Sequence, residues 1–354
     1  MITAKDIKAA AKSMGADIVG IGSIDRWSTA PIQMDPKQIM PNAKSIICLG
    51  FRVMRGSLRG VEEGTYFSNY SSMGYGGITY LYMPMTIINL SKMIEDAGYE
   101  AVPMGHQSDW RAIDNSGYMK KNYSRPVAPG KAAPDVMINL RIAGFLCGLG
   151  EIGYSKMLLT PEFGPRVRVG IIITELELEP DPILETGDIC IHCGACARAC
   201  PGNAIPSVKD ENKRLTVSFG EKSVWYGDVR MGRCTLSHHG MNNECSPFLK
   251  KEFPNMAFDV RNSEMTEEEA YIMSYTMAQG KWGRKPDTNN VMGYYDYILK
   301  HTGYFAICGA KGCIRACMNA LEKSGRIENT FHNQFYKKPS WTLSNTPEKV
   351  SDGV

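Results

Sequence analysis

The 354-residue sequence predicts an α/β (α+β) chain in two main parts. Three observations carry that prediction. Over the first 180 residues, apolar positions alternate between helical spacing and short Val/Ile-rich runs, a pattern that favours helices packed on one central sheet. A Pro-rich stretch, EPDP at 179–182, then breaks the pattern. Beyond it stand most of the 11 cysteines, closely spaced. The expected divisions are 1–180, 181–330 with a helical insert at about 246–307, and a tail over 331–354.

The elements follow in order. Thr3 with Asp6 three residues on can cap a first helix, and Gly15 ends it. ADIVGIG and then SIICLGF (45–51) read as short buried strands. YLYMPMTIINLSKMIEDAG (80–98) is an amphipathic helix closed by Gly98, and YEAVPM after it reads as a strand. DVMINLRIAGFLCGLG (135–150) has helical spacing, and VRVGIIITELEL (167–178) is the clearest strand. TEEEAYIMSYTMAQG (266–280) opens with a capping box, Thr266 with Glu269, and ends at Gly280. Its Met- and Tyr-bearing face is expected to point into a core. The tail from Phe331 carries Pro339 and Pro347. It is expected to lie extended on the surface or to reach a second copy in a homodimer.

Composition is that of an ordinary globular chain, 43% apolar and 22% charged. Net charge is +3, from 40 basic and 37 acidic residues, with no basic block. The balance is neutral on nucleic acid, and no nucleic-acid partner is expected. No apolar run approaches the ~18 residues of a membrane span. The N-terminus has no apolar export segment and no twin arginine. Unpaired cysteines suit a reducing compartment, so a cytoplasmic location is expected.

The cysteines carry the chemistry. Cys190, Cys193, Cys196 and Cys200, followed by Pro201, have the spacing C-x2-C-x2-C-x3-C-P. That spacing lets three thiolates of one tight turn reach three corners of an iron–sulfur cubane and sends the fourth to a neighbouring cluster. Tetrahedral zinc instead takes two separated cysteine knuckles. The remaining ligands are sought downstream, where CGAKGCIRAC holds Cys308, Cys313 and Cys317. By the exchange pattern, Cys190, Cys193 and Cys196 share one [4Fe-4S] cluster with Cys317. Cys200 joins Cys308, Cys313 and either Cys234 or Cys245 on a second. Cys48 and Cys147 sit in apolar runs and read as small buried hydrophobes. The glycine pairs GIG (20–22) and GYGG (74–77) lack phosphate-loop spacing and read as turns or close backbone approaches. His238 and His239 are paired and read as part of a polar loop.

One segment is more specific. AGFLCGLGEIGYSKMLLTPEFGPRVRVGIIITELELEPD, directly ahead of the cysteine run, resembles the corrinoid-dependent reductases: reductive dehalogenases and epoxyqueuosine reductases. The resemblance rests on Gly148, Leu149, Gly150, Glu151, Gly153, Thr160, Pro161, Glu162, Gly164 and Arg168. Trp225, shortly before Cys234, fits the same families and favours Cys234 over Cys245 as a ligand. The resemblance implies a nitroreductase-like corrinoid-binding domain followed by a bacterial ferredoxin-like two-cluster domain. It implies cobalamin as a further cofactor, contacted by Gly148, Gly150, Glu151, Gly153 and Tyr154. It implies a phenol as proton donor, with Tyr80 and Tyr82 as candidates. Tyr154 stands where the dehalogenases carry a cation, a departure from their pattern. Asp135 lies near the acidic donor of the queuosine enzymes. The partners it implies are a low-potential donor such as ferredoxin or flavodoxin and a small-molecule substrate. The other reading is an electron-transfer or activator protein that serves a partner, such as a corrinoid protein, and has no substrate of its own.

Overall fold

A computed structural model describes residues 2–106, 125–134, 136–220, 222–242, 245–246, 259–278 and 306–335. Asp135, most of the expected insert and the tail beyond 335 lie outside the described residues. The elements, in chain order, are α1 (Ala4–Ser13), β1 (Ile18–Ser23), β2 (Ser45–Arg52), α2 (Arg59–Glu63), a π-helix (Tyr70–Tyr82), α3 (Met83–Asp96) and β3 (Ala101–Met104). There follow α4 (Leu140–Leu146), β4 (Glu151–Ile152), β5 (Leu158–Leu159), β6 (Val167–Thr174), α5 (Ala195–Arg198), β7 (Arg214–Phe219) and β8 (Lys222–Gly227). Last come α6 (Met231–His238), α7 (Glu267–Ala278) and α8 (Cys313–Ser324).

The four apolar runs expected as strands meet in one sheet, in the order β1-β2-β6-β3. Every pairing is antiparallel, with Ile47 opposite Ile21 on one side and Ile172 on the other. The fold is therefore mixed α and β. Alternation along a strand sends neighbouring side chains to opposite faces. Ile47, Leu49 and Phe51 of β2 pack with Ile7 of α1 and with Ile87 and Leu90 of α3. Ile46 and Cys48 face the other way, onto Phe145 and Leu146 of α4. Cys48 and Cys147 are fully buried there.

Three boundaries moved for visible reasons. The helix expected from residue 80 is α3, preceded by thirteen residues of π-helix. Tertiary packing imposes that wider coil: Tyr70, Tyr75 and Ile78 are all buried in the core. π geometry is rare and concentrates at functional sites. The helix expected over 135–150 is confined to α4. The Asn139 side chain accepts hydrogen bonds from the Arg141 and Ile142 backbone N–H groups, and Gly148 turns left-handed at φ +76°. β6 stops at Thr174, whose hydroxyl donates to the Glu100 carbonyl and accepts from the Leu176 N–H. The capping boxes at Thr3/Asp6 and Thr266/Glu269 both form. Among the described residues, no helix is long and apolar enough to cross a membrane.

The core continues across the Pro-rich stretch. Cys308, Ile314 and Met318 share one apolar cluster with Val61, Tyr70 and Ile47. A buried ion pair reinforces the seam: Glu62 of α2, 1% exposed, lies 3.1 Å from Arg315 of α8. Arg315 also donates to the Lys311 carbonyl. Removing one member of a buried pair strands the other's charge, which costs more than replacing both. Glu62→Ala should therefore destabilise the chain by about 3–5 kcal/mol, read from the denaturant midpoint. Combining it with Arg315→Met should restore most of that loss.

Candidate metal centre and adjoining cavity

The first cysteine group sits where a tight loop meets α8. Cys190, Cys193, Cys196 and Cys317 line one cavity, walled by Tyr154, Leu159 and Leu321. His192 and Gly194 both take left-handed backbone, at φ +47° and +69°, to turn the loop between the first three. The Tyr154 backbone N–H donates to Cys190 Sγ at 3.4 Å. Burial pushes the Cys190 thiol up, the Cys196 thiol to about 12 and the Cys317 thiol well above its usual range. Bare thiolates are thus disfavoured here, and a cation that binds them offsets the cost while releasing their protons. All 11 cysteines are free of disulfides. No three His, Cys, Asp or Glu among the described residues converge tightly enough for a single metal ion. Four thiols around a cavity fit a cubane instead.

The second group lies alongside. Cys200, Cys234 and Cys313 pack into one apolar cluster with Cys196. Burial, and then the nearby cysteines, raises the Cys313 and Cys308 thiols: Cys313 feels Cys200 and Cys234, and Cys308 feels Cys313, Cys234, Cys245 and Cys200. The Cys234 thiol is pushed up to about 11. The Ala204 backbone N–H donates to Cys200 Sγ at 3.2 Å. Cys245 is buried on the Cys308 side, and its backbone N–H donates to Asn242 Oδ1.

Of the residues expected against a flat cofactor, Glu151 and Tyr154 bond to the cysteine loop. Glu151 is fully buried, and its carboxylate accepts from the N–H groups of Gly187 (2.8 Å), Ile189 (2.7 Å) and Cys190 (3.0 Å). A Cβ on Gly150 would collide with the Leu159 carbonyl, and one on Gly148 with the Pro182 carbonyl. Gly153 lies against the Leu159 side chain, with Cys190 Sγ just beyond. The Tyr154 hydroxyl donates to the Ser207 carbonyl at 2.9 Å, so it is occupied. Its ring meets Trp225 edge-on, and Trp225 in turn stacks on His192 at 4.3 Å.

A second cavity opens between the π-helix, α4 and β6. Tyr75, Thr79, His106, Arg141 and Arg168 line it, with apolar walls that include Met83, Met157 and Leu158. Tyr80 stands beside it, its ring 5.5 Å from His106 and 6.4 Å from Tyr75. Burial pushes its phenol above the usual range, so it keeps its proton at neutral pH. Tyr82 does not join it. It is half-exposed and packs edge-on against Phe51, near Gly15. The Tyr75 ring is 5.7 Å from His238, and His238 Nδ1 is 3.9 Å from Cys308 Sγ. The cavity therefore reaches the second cysteine group through one tyrosine and one histidine. Sequence reasoning missed Tyr75, His106 and Arg141, and left His238 without a role. A signal for His238 was present: it follows Cys234 by four residues, and i, i+4 positions share a helix face.

The 4Fe-4S binding domain family matches residues 187–205. The tetrachloroethene reductive dehalogenase of Desulfitobacterium hafniense is 28% identical over 231 residues, 58% of this chain and 39% of its own length. The epoxyqueuosine reductase of Gloeobacter violaceus is 26% identical over 244 residues, 60% of this chain and 65% of its own length. Its homologues are reductive dehalogenases and epoxyqueuosine reductases. This chain thus spans about two-fifths of the length of the dehalogenases it matches. Among solved structures, an epoxyqueuosine reductase with an epoxyqueuosine-modified tRNA-Tyr stem loop matches with a TM-score of 0.42 at 14% identity, covering 91% of this chain and 82% of that one.

One expectation is corrected here. A small-molecule substrate with no nucleic acid was expected, yet relatives include enzymes of which one is solved with a tRNA stem loop.

The Glu151 carboxylate generates a test. Glu151→Gln replaces an acceptor of three N–H bonds by an amide with one acceptor oxygen. Hydrogen bonds to a charged group contribute about 1.5–3 kcal/mol each. The variant should unfold earlier and retain less than half the iron of the wild type after anaerobic desalting, measured by iron assay and thermal melt.

Proposed function

We propose that this chain is an oxidoreductase that passes electrons through two [4Fe-4S] clusters to a corrinoid. The observation that carries the reading is the cavity lined by Cys190, Cys193, Cys196 and Cys317. These four hold the first cluster. Cys200, Cys234, Cys308 and Cys313 hold the second, since Cys234 neighbours Cys200, Cys313 and Cys308 at once. The resemblance over Gly148–Arg168 supports the corrinoid and a nitroreductase-like domain to bind it. The cavity lined by Tyr75 lies one residue, His238, away from the second cluster's Cys308.

When bound, the clusters supply single electrons, with potentials tunable between about −700 and +450 mV, and cobalamin supplies a cobalt centre for reductive chemistry. The protein's own residues do the rest. The Tyr154 and Ala204 N–H groups donate to cysteine sulfurs and so stabilise the reduced, more negative clusters. His238 and Tyr75 stand between Cys308 and the cavity. Tyr80 holds a proton beside the cavity until negative charge develops there.

Anaerobic iron and sulfide analysis should give about eight of each per chain, from two four-iron cubanes. Cys234→Ala should lose one cluster and Cys245→Ala should keep both. A result near four irons, or the reverse pattern for the two variants, would overturn the ligand assignment. Reconstitution with cobalamin and desalting should leave about one cobalt per chain, as expected for a single cofactor site, with corrinoid bands above the iron–sulfur absorption. Full clusters with no retained cobalt would point instead to an electron-transfer protein that serves a partner.

A further inference from the structure

The cavity beside Tyr80 sets several polar groups among its apolar walls. Thr79 is 3% exposed, and its hydroxyl has no hydrogen-bond partner among the described residues. The same holds for His106 Nδ1 and for Arg168 Nε. All three residues line this one cavity. Buried polar atoms are nearly always paired, so three unpaired ones on residues that line one cavity call for partners there.

The charge in that space is one-sided. Arg168 lies over the Tyr75 ring at 4.0 Å, and its terminal nitrogen donates to the Tyr70 hydroxyl at 3.4 Å. Arg141 stands at the exposed mouth and donates to the Lys156 carbonyl. Among the described residues, neither guanidinium pairs with a carboxylate and no Asp or Glu lines the cavity. A hydroxyl, a ring N–H and a guanidinium N–H can all donate at once, and what accepts from all three is an oxyanion.

We propose that this cavity is an oxyanion site, in which Arg168, Thr79 and His106 bind a phosphate or carboxylate group, with Arg141 drawing it in at the mouth. The inference deepens the reading of this cavity as the reaction pocket but needs neither cluster to be correct. The group has two sources: the phosphate in cobalamin's own nucleotide loop, or an anionic group on the molecule that reacts. The apolar walls and the Tyr75 ring suit a flat, partly apolar body attached to it.

The test uses the full-length, cluster-replete chain, with iron content checked for every variant. Inorganic phosphate and benzoate are titrated calorimetrically at low ionic strength, where such contacts are least screened. Wild type should bind benzoate saturably at one per chain. Arg168→Gln should weaken that binding at least tenfold, Arg141→Gln and Thr79→Val several-fold, and Lys5→Gln on α1 not at all. Because Arg141 is exposed, its variant stays informative if Arg168→Gln folds poorly. Cobalamin and cobinamide, which lacks the phosphate, are then compared. Weaker retention of cobalamin alone in Arg168→Gln identifies the corrinoid's phosphate as occupant. Unchanged retention of both, with benzoate still bound beside cobalamin in wild type, identifies the reacting molecule. Absence of saturable binding by iron-replete wild type, or equal affinity in Arg168→Gln, overturns the proposal and leaves the iron and cobalt analyses to judge the wider reading.

Discussion

Two short helices govern the second half of this molecule. Cys196 of α5 and Cys200 just beyond it are four residues apart, and so are Cys313 and Cys317 of α8. Positions i and i+4 lie on one face, about 6 Å apart along the axis. Cys196 and Cys317 turn to the first cysteine group, and Cys200 and Cys313 to the second. On the proposed ligand assignment, the segment of α5 through Cys200 and helix α8 each contribute to both groups, which sets the two groups side by side.

Everything around that arrangement serves to hold it still. Glu151 ties the loop that carries Cys190 by three backbone N–H groups. The buried Arg233, beside Cys234, is spent wholly on carbonyls: Gly202, Val260, Arg261, Ser263 and Met265. It thereby pins the loop after Cys200 to the segment ahead of α7. Glu62 and Arg315 fasten α8 to α2. Charges buried this way contribute less to net stability than to uniqueness of arrangement, since their desolvation offsets most of their attraction.

The same packing explains how the two halves communicate. Cys308 shares its apolar cluster with Tyr70, Tyr75 and the sheet residues Ile47 and Ile172. The π-helix brings Tyr75 to the seam, with Arg168 of β6 on its face and His238 of α6 near its edge. An α-helical path over 70–82 would carry fewer residues per turn and could not keep Tyr70, Tyr75 and Ile78 in the same contacts. The irregular coil is thus what joins a cavity in the first half to a cysteine in the second.

The sequence by itself determined the local elements and the class of chemistry. Short apolar runs gave the four strands, because a strand buried on both faces reads as a continuous apolar stretch within its own few residues. Thr3/Asp6 and Thr266/Glu269 gave helix starts, because a capping box spans four residues. The cysteine spacing pointed to iron–sulfur chemistry, because ligand reach within one turn is also local. Tertiary structure alone decided the rest. It turned Glu151 and Gly150 toward the cysteine loop, separated Tyr80 from Tyr82, and gathered Tyr75, Thr79, His106, Arg141 and Arg168 around one cavity. Those five come from four separate segments of the chain. No periodicity connects them, because their meeting depends on the sheet order and on packing between distant segments, which local spacing does not encode.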